Sequence, residues 1–347
     1  MSKKTLNYDF EIIESLPNVL KDYKILALHF PASAIFQYPL WMNFKKNLIL
    51  VQLKFNGVLV AYALVEKKRL IYDIVFGPII SDFEMYNFFF QELFKYAQKN
   101  NAYFLRITPC FERCYKIQLR DIFKTLNYNT IELDTYKTLL TNLQESEEFL
   151  YQKIATHHKN AIKKSKKLGL SFVKTENIDL FLIHYNKFSY SYDLNLSPIH
   201  RTRYIRSLYN CFNEQQMANL FFVQKRDEIL GGLLFLNYNN NVYYAYGFSN
   251  KKAKIPILHF GFWESIKYFK KLNYCTLDWG GFDFPKGNLR LDNIHLFKKR
   301  FGGTIFEYQQ TIVVELKWLK YRWFWMLKKL YDKIIINCLR ILKKFNP

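Results

Sequence analysis

The alternation of apolar and polar positions predicts a short series of strands and one helix in the first half of the chain. Leu48 to Val65 alternates with a period of two around Asn56-Gly57, which predicts a β-hairpin. Ile71 to Phe76 follows as a strand, Phe83 to Lys99 has apolar residues at helical spacing, and Tyr103 to Ile107 returns as a strand. This order predicts a half-sheet with a crossover helix.

The second half repeats this order at a constant offset. Val51-Gln52 corresponds to Val223-Gln224, 172 residues later (223 − 51), and Lys95-Tyr96 corresponds to Lys267-Tyr268 at the same offset. Two matching segments at one offset indicate a duplication. A chain of 347 residues is also long enough for two domains of ordinary size.

A basic segment connects the two repeats. Ser146 is predicted to begin a helix that Gly169 ends, with Glu147 and Glu148 in the first turn. The last turns carry four lysines, which complement the helix dipole: Lys163, Lys164, Lys166 and Lys167. This lysine face is either a solvated surface or the binding surface for a phosphate-rich substrate.

Residues 317–347 interleave aromatic, aliphatic and basic residues at helical spacing, which predicts an amphipathic helix. Such a helix either lies in the headgroup region of an anionic membrane or packs back on the first domain. The first 20 residues have no apolar core of signal-peptide length, and no run of about 20 apolar residues occurs anywhere. We therefore expect a cytoplasmic protein that is either free or peripheral to the membrane.

Composition narrows the class of protein further. The 26 Tyr and 33 Phe can fill large cores, so a folded protein is expected. A net charge of +22 favours anionic partners, although Lys, Asn, Ile, Phe and Tyr are abundant together, as in proteins from AT-rich genomes. Five cysteines, of which only Cys110 and Cys114 are close in sequence, predict neither a disulfide framework nor a metal site.

The residues best suited to chemistry are concentrated between Leu277 and Tyr308. An apolar run meets Asp278 and the paired glycines Gly280 and Gly281, which permit a turn or a close backbone approach. After a polar loop comes a short basic segment, Phe297-Lys298-Lys299-Arg300. Cations in such a place can neutralise charge that develops on an acyl or phosphate oxygen.

This stretch resembles a known family. Asp278-Trp-Gly-Gly, followed by Leu296-Phe-Lys-Lys-Arg-Phe-Gly-Gly, is similar to the C-terminal signature of the Fem family of peptidoglycan-bridge aminoacyltransferases. Weaker similarities lie at Phe36-Gln37 with Trp41, at Gly77-Pro78 with Asp82, and in the basic helix from Ser146.

The resemblance implies an α/β fold of two tandem GNAT-like acyltransferase domains. The first would span residues 1–145 and be completed by the C-terminal helix of residues 317–347, and the second would span residues 146–316 and carry the signature. The active site would then lie in the cleft between the two halves.

The resemblance also implies roles for individual residues. Lys298, paired with Phe297, would stabilise the oxyanion or phosphate of the donor. Asp82 matches the acidic catalytic residue of the family, and Asp278 and Asp283, which flank the glycines, are the alternatives. The amine nucleophile has to lose a proton to a carboxylate, a water chain or the substrate itself, which leaves the general base open. Residues in these motifs are the candidates for substrate binding: Gln37, Trp41, Asp278, Gly280, Gly281 and Lys299. Tyr244 and Tyr246, which end a predicted strand before Gly247, are further candidates for lining the acceptor cleft.

Other motifs fail. The chain has no Walker loop, dinucleotide fingerprint or nucleophile elbow. His157-His158 and His295 have no ligand spacing with other His or Cys, so no metal is expected. The glycine-rich pyrophosphate loop of GNAT enzymes is replaced after Gly247 by Asn250-Lys-Lys-Ala-Lys-Ile-Pro, which favours Fem-like donors without excluding acyl-CoA.

Three hypotheses remain from the sequence. The first is transfer of an aminoacyl or acyl group to an amine of a cell-envelope precursor, with aminoacyl-tRNA or acyl-CoA as co-substrate and no tightly bound cofactor. The second is an acyl-CoA-dependent N-acyltransferase acting on a sugar in polysaccharide biosynthesis. The third is a non-catalytic protein that binds an anionic membrane or RNA.

Overall fold

The computed structural model describes residues 8–43, 45–82, 84–113, 118–189, 198–282 and 289–317, which form thirteen strands and nine α-helices. The strands are β1 (Tyr8–Ile13), β2 (Leu48–Phe55), β3 (Val58–Lys68), β4 (Ile71–Val75), β5 (Ile79–Ile80), β6 (Phe104–Thr108), β7 (Thr130–Asn142), β8 (Leu170–Thr175), β9 (Ala218–Lys225), β10 (Glu228–Tyr238), β11 (Asn241–Ser249), β12 (Thr276–Gly281) and β13 (Thr304–Glu315). The helices are α1 (Lys21–Leu26), α2 (Glu84–Lys99), α3 (Leu119–Thr125), α4 (Glu147–Lys153), α5 (Thr156–Lys167), α6 (Ile178–Ser189), α7 (Pro198–Asn213), α8 (Ile257–Lys271) and α9 (Leu289–Lys299). Short 3-10 segments occur at Ala32–Gln37, Pro39–Asn43 and Lys251–Ala253.

The predicted duplication is visible in the order of elements. Strands β2, β3 and β4, helix α2 and strand β6 recur as β9, β10, β11, α8 and β12. The first hairpin turns at Asn56 and Gly57, with φ values of +49° and +80°. A turn with two positive φ values matches the right-handed twist of the flanking strands, so this part of the fold is encoded locally.

The two halves share one mixed sheet in the order β1-β2-β3-β4-β6-β13-β7-β12-β11-β10-β9-β8, with β5 paired separately to β3. The last strand of each half is exchanged with the other half. Strand β13 runs antiparallel to β6 of the first half, and β7 runs antiparallel to β12 of the second. The two exchanged strands also pair with each other, so they form the centre of the sheet.

Alternating residues on the strands face different cores. On β2, Ile49 and Val51 pack under α2 in a first-half core, whereas Leu48 and Leu50 face the opposite side. That opposite side is continuous with residues of the second half, including Leu220 and Phe222 of β9. We call this continuous cluster the shared core; helices α6 and α7 and the first two 3-10 segments also contribute to it. A further core lies between the sheet and helices α5, α8 and α9.

The prediction of one continuous helix from Ser146 to Gly169 is wrong, because the structure has two helices in this segment. Ser146 does cap a helix, because its hydroxyl accepts a hydrogen bond from Phe149 N at 3.1 Å. The helix stops at Lys153, and Ile154 is extended and buried. Ala155 N then donates to Arg300 O at 2.8 Å, a tertiary partner that replaces the intrahelical one. Two helices, α4 and α5, result.

Other predictions have different outcomes. The sequence pattern of residues 31–47 predicts a loop and a helix, but the structure has two 3-10 segments there. The pattern from Thr311 to Leu316 predicts a strand, which is the second part of the longer β13. The boundary predicted at residues 145/146 lies between β7 and α4. The C-terminal helix predicted for residues 317–347 lies, beyond Lys317, outside the described residues, and so does Asp283. Among the described helices, none is long and apolar enough to span a bilayer.

Candidate active site

The central irregularity of the sheet is a fork between β11 and β12. These parallel strands pair only from Asn241 with Thr276 to Tyr243 with Asp278, and beyond that point they separate. On its other side β12 pairs with β7, and the register there shifts between Asp278 and Gly281. The end of β12 therefore presents main-chain groups that regular sheet pairing does not use.

Asp278 is buried at the base of this fork and is 1% exposed. One of its carboxylate oxygens accepts hydrogen bonds from the Thr138 hydroxyl and from Gly280 N, the latter at 2.8 Å. The turn requires φ +68° at Gly280, where a Cβ would lie 3.2 Å from the Tyr243 hydroxyl. Burial raises the pKa of Asp278 to about 6, and the two hydrogen bonds and Lys298 oppose this rise.

Lys298 reaches the same turn from helix α9. Its Nζ donates to Gly281 O at 2.9 Å and to Gly280 O at 3.3 Å. Burial lowers the pKa of Lys298 to about 8, and the Asp278 carboxylate partly opposes this. Because an ammonium has three protons and two face these carbonyls, the third can be offered to a ligand.

Three tyrosines complete the site. Tyr136 of β7 accepts a hydrogen bond from Gly281 N and is hydrogen-bonded to Tyr243 of β11, and its ring centroid lies 5.6 Å from that of Tyr308 of β13. Burial and the Asp278 carboxylate raise the pKa of all three, so they remain protonated phenols near neutral pH. We call Asp278, Gly280, Gly281, Lys298, Thr138, Tyr136, Tyr243 and Tyr308 the fork cluster.

Sequence reasoning missed these tyrosines. With 26 Tyr in the chain, residue type alone does not separate a site residue from a core residue. A usable signal is that Tyr136 and Thr138 share one face of β7, since side chains alternate along a strand. Which strand they face depends on a pairing between β7 and β12 that is distant in sequence.

The two tyrosines that were predicted to bind substrate lie in different surroundings. Tyr244 packs against Phe235 and Phe262, with ring centroids 5.7 Å and 4.9 Å away, beside the core under α8. Tyr246 faces Tyr185 of α6 at 6.1 Å and adjoins the shared core. A register shift in the β10–β11 pairing falls between their partners, so these residues point to different layers.

Gln37 and Trp41 are buried and form hydrogen bonds within the protein. Gln37 is fully buried; its amide donates to Val75 O at 2.6 Å and accepts from Leu64 N at 2.7 Å. Trp41 is 4% exposed, donates to Ile35 O at 2.7 Å, and stacks on a phenylalanine ring at 5.6 Å. Both side chains hold the first 3-10 segments against the sheet. Their proposed contact with substrate remains a prediction.

Asp82, Lys299 and Phe297 differ from Lys298 in position. Asp82 is exposed and its carboxylate accepts from Glu84 N at 3.3 Å, which caps α2. Lys299 is exposed, as expected for a residue adjacent to an inward-facing one on a helix. Phe297 packs between His158 and His259, with ring centroids 5.1 Å and 5.0 Å away, and supports α9 from below.

The histidines next to Phe297 were not associated by sequence. His157 and His158 of α5 are joined in space by His259 of α8, and one ring nitrogen of each lies within 4.8 Å of the others. The spacing rule that dismissed His157 and His158 could not detect a partner on another helix.

The fold can be compared with those of proteins of known structure. Two α/β units in tandem, joined in one sheet, are the architecture of tandem GNAT-type proteins. A tandem GNAT protein from the clavulanic acid biosynthesis pathway has this fold, with a TM-score of 0.56 and 9% identity over 89% of this chain and 99% of that one.

A higher structural similarity is to FemX, with a TM-score of 0.73 and 16% identity over 87% of this chain and 96% of that one. The C-terminal domain of a putative lysylphosphatidylglycerol synthetase from Agrobacterium fabrum also matches, with a TM-score of 0.57 and 11% identity over 85% of this chain and 91% of that one. No protein-family model and no curated protein matches the sequence. The tandem GNAT-like fold predicted from the sequence is thereby confirmed.

Proposed function

We propose that this protein is an acyltransferase that transfers an aminoacyl or acyl group to an amine of a cell-envelope precursor. The observation that carries the proposal is the position of Lys298, whose ammonium is fixed on the carbonyls of Gly280 and Gly281 where β11 and β12 separate. The names of two proteins that share the fold, FemX and lysylphosphatidylglycerol synthetase, favour a cell-envelope acceptor.

The proposed reaction forms a C–N bond. The acceptor amine attacks the donor's carbonyl carbon, negative charge develops on the carbonyl oxygen, and the ester or thioester bond then breaks. Lys298 stabilises that charge with its third proton, an effect worth several kcal/mol in a site that excludes water. The amine loses one proton and the leaving oxygen or sulfur gains one.

Asp278 is better placed than Asp82 to influence this proton transfer. Its pKa of about 6 lies near neutrality, and its carboxylate acts on the phenols of Tyr136 and Tyr243. A chain of phenols beside a buried carboxylate can pass a proton between the amine and the leaving group. Asp82, which caps α2 at the surface, is kept as the weaker candidate.

The donor in the first hypothesis is aminoacyl-tRNA. The lysine face predicted from the sequence lies on α5, where Lys163, Lys164 and Lys167 line a surface depression of about 420 Å³ together with Asn160. Clustered cations attract a nucleic-acid backbone, and the attraction weakens with salt. An anionic membrane surface remains a further proposed partner through residues 317–347.

The alternative donor is acyl-CoA, with an amine of a sugar as acceptor. The divergence of β11 from β12 leaves main-chain groups that an extended pantetheine-like chain could pair with, in the manner of an added strand. Lys251, Lys252 and Lys254 precede α8, whose N-terminus favours phosphate.

One experiment separates the donors. The protein is incubated with a membrane-precursor extract and two isotopically distinct donors, aminoacyl-tRNA and acyl-CoA, with and without ribonuclease, and the product mass is measured. A gain of one amino-acid residue that ribonuclease abolishes supports the first hypothesis, and transfer of the CoA label supports the second. No gain from either donor refutes the acyltransferase proposal and favours a binding protein.

Two variants test the residue that carries the proposal. Lys298→Ala should lower turnover by about a hundredfold or more, in the range typical of losing one oxyanion-stabilising donor. Lys95→Ala removes an exposed lysine of α2 that is not part of the fork cluster and should leave turnover unchanged. Equal turnover in both variants and the wild type would remove Lys298 from the mechanism.

A further inference from the structure

Three histidines from two helices converge beneath α9. His157 and His158 lie in the first turn of α5, and His259 lies in the first turn of α8. Helices α5 and α8 pack against each other, and this brings one ring nitrogen of each histidine within 4.8 Å of the other two. The rings of His158 and His259 are nearly perpendicular, with centroids 4.4 Å apart.

The hydrogen bond made by His158 fixes its tautomer. Its Nε2 lies 3.1 Å from Phe297 O, and a carbonyl oxygen can only accept, so Nε2 carries the proton. Nδ1 is then left with a lone pair. His158 is 1% exposed, and its Nδ1 has no hydrogen-bond partner in the part of the chain that the structure describes. A buried acceptor without a partner is unfavourable, and an ion or a water molecule at Nδ1 would satisfy it.

The chemistry of this acceptor selects a cation. An anion would need a donor at Nδ1, and His158 would have to be protonated to supply one. His158 is 1% exposed, and a second proton would place a charge on its ring away from water, which is unfavourable without an acidic partner. Neutral imidazole with its other nitrogen bonded to a backbone carbonyl is the form in which histidine binds metals.

We propose that His157, His158 and His259 bind one divalent transition-metal ion of the zinc type, with the fourth position open to solvent beside the exposed His157. In a tetrahedral zinc site, with Zn–N distances of about 2.0–2.1 Å, the ligand nitrogens lie roughly 3.4 Å apart. Because no two of the three nitrogens are more than 4.8 Å apart, no pair has to approach by more than about 1.4 Å, a distance that small side-chain rotations can supply.

The surroundings also determine which metals would bind. Arg300 and the positive ends of two helices oppose any cation, so hard ions with oxygen preference gain too little from three imidazoles. Zinc, cobalt, nickel and copper form stronger bonds to imidazole nitrogen. We therefore expect binding of zinc and cobalt but no binding of magnesium or calcium.

The site has a structural consequence for α9. The carbonyl that orients His158 belongs to Phe297, and the next residue is Lys298. A bound ion would thus hold α5, α8 and α9 together directly behind the fork cluster. This proposal does not depend on the proposed function, because its test measures metal binding and not turnover.

The test uses the full chain without a histidine tag, stripped with a chelator. Zinc affinity is measured by competition with a chromophoric chelator, and coordination is read from the visible absorption of the cobalt form. His157→Ala is the main variant, because an exposed residue can be replaced without disturbing the core. His259→Gln is the second variant, and His29→Ala, another exposed histidine, is the matched control.

The wild type and His29→Ala should bind one zinc and give the intense absorption of four-coordinate cobalt. His157→Ala should bind zinc at least about tenfold more weakly and lose that absorption, and His259→Gln should behave likewise if it folds. Three results would each overturn the proposal: no zinc binding by the wild type, the same affinity in His157→Ala as in the wild type, or equal weakening in His29→Ala.

Discussion

Replacing Asp278 with asparagine should stabilise the protein at neutral pH. The amide keeps an oxygen that can accept from Thr138 and from Gly280 N, so the turn is preserved while the buried charge is removed. A pKa raised from 3.8 to about 6 corresponds to a cost of about 3 kcal/mol for keeping the carboxylate ionised in the folded protein. The attraction of Lys298 is already included in this figure, since it contributes to the same pKa.

The sign of the pH dependence follows from the raised pKa. Between about pH 4 and pH 6 the folded protein holds this proton more tightly than the unfolded chain, so rising pH destabilises the wild type. The amide of the Asp278→Asn variant does not titrate. The variant and the wild type should therefore be equally stable near pH 4, and the variant should be more stable by up to about 3 kcal/mol at pH 7.

Urea unfolding followed by tryptophan fluorescence measures this difference, because Trp279 is buried next to the substituted residue. Asp278→Ala is the control, since it removes the charge and both hydrogen bonds and should be less stable than Asp278→Asn at every pH. A gap between Asp278→Asn and the wild type that is the same at pH 4 and pH 7, or a less stable Asp278→Asn variant at pH 7, would refute the reasoning.

Three further predictions concern other parts of the molecule. If charged Lys298 is required, initial rates in the isotope assay should fall as pH rises through about 8, and Lys298→Arg should move this fall to higher pH because guanidinium stays protonated. Gly302→Ala should cost about 2–4 kcal/mol in urea unfolding, because φ is +84° and the new Cβ would lie 2.6 Å from Lys153 Cβ; Gly57→Ala, at φ +80° with open space, should cost only about 1 kcal/mol. Ser146→Ala should lower stability by about 1 kcal/mol in the same assay, and Ser146→Asp should restore most of it.

The local parts of the fold could be predicted from sequence. The hairpin at Asn56-Gly57 and helix α2 depend on turn residues and on periodicity within a few residues, and both lie where they were expected. The break between α4 and α5 depends on Arg300 O, a partner far away in sequence, so no local pattern signals it. The exchange of β7 and β13 likewise depends on pairing between strands from different halves of the chain, which no local pattern signals.

The same distinction applies to the candidate site. Asp278, Gly280, Gly281 and Lys298 lie in one short stretch that the family resemblance singled out, and the structure brings them together. Tyr136, Tyr243 and His259 lie on β7, β11 and α8, far from this stretch in sequence. Neither their residue types nor their local sequence marks them as functional residues. Their relation to the site exists only once the strands and helices have packed.

The exchange of strands determines how the protein must fold. Strand β6 needs β13, the last strand described, as its neighbour, and β12 needs β7, which was synthesised long before it. During synthesis the first half therefore waits with the edge of β6 unpaired until β13 has left the ribosome. An unpaired edge is a site for aggregation, and pairing across such a sequence distance is slow. Expressed alone, residues 1–145 should be prone to associate through this edge, so the two halves act as a single folding unit.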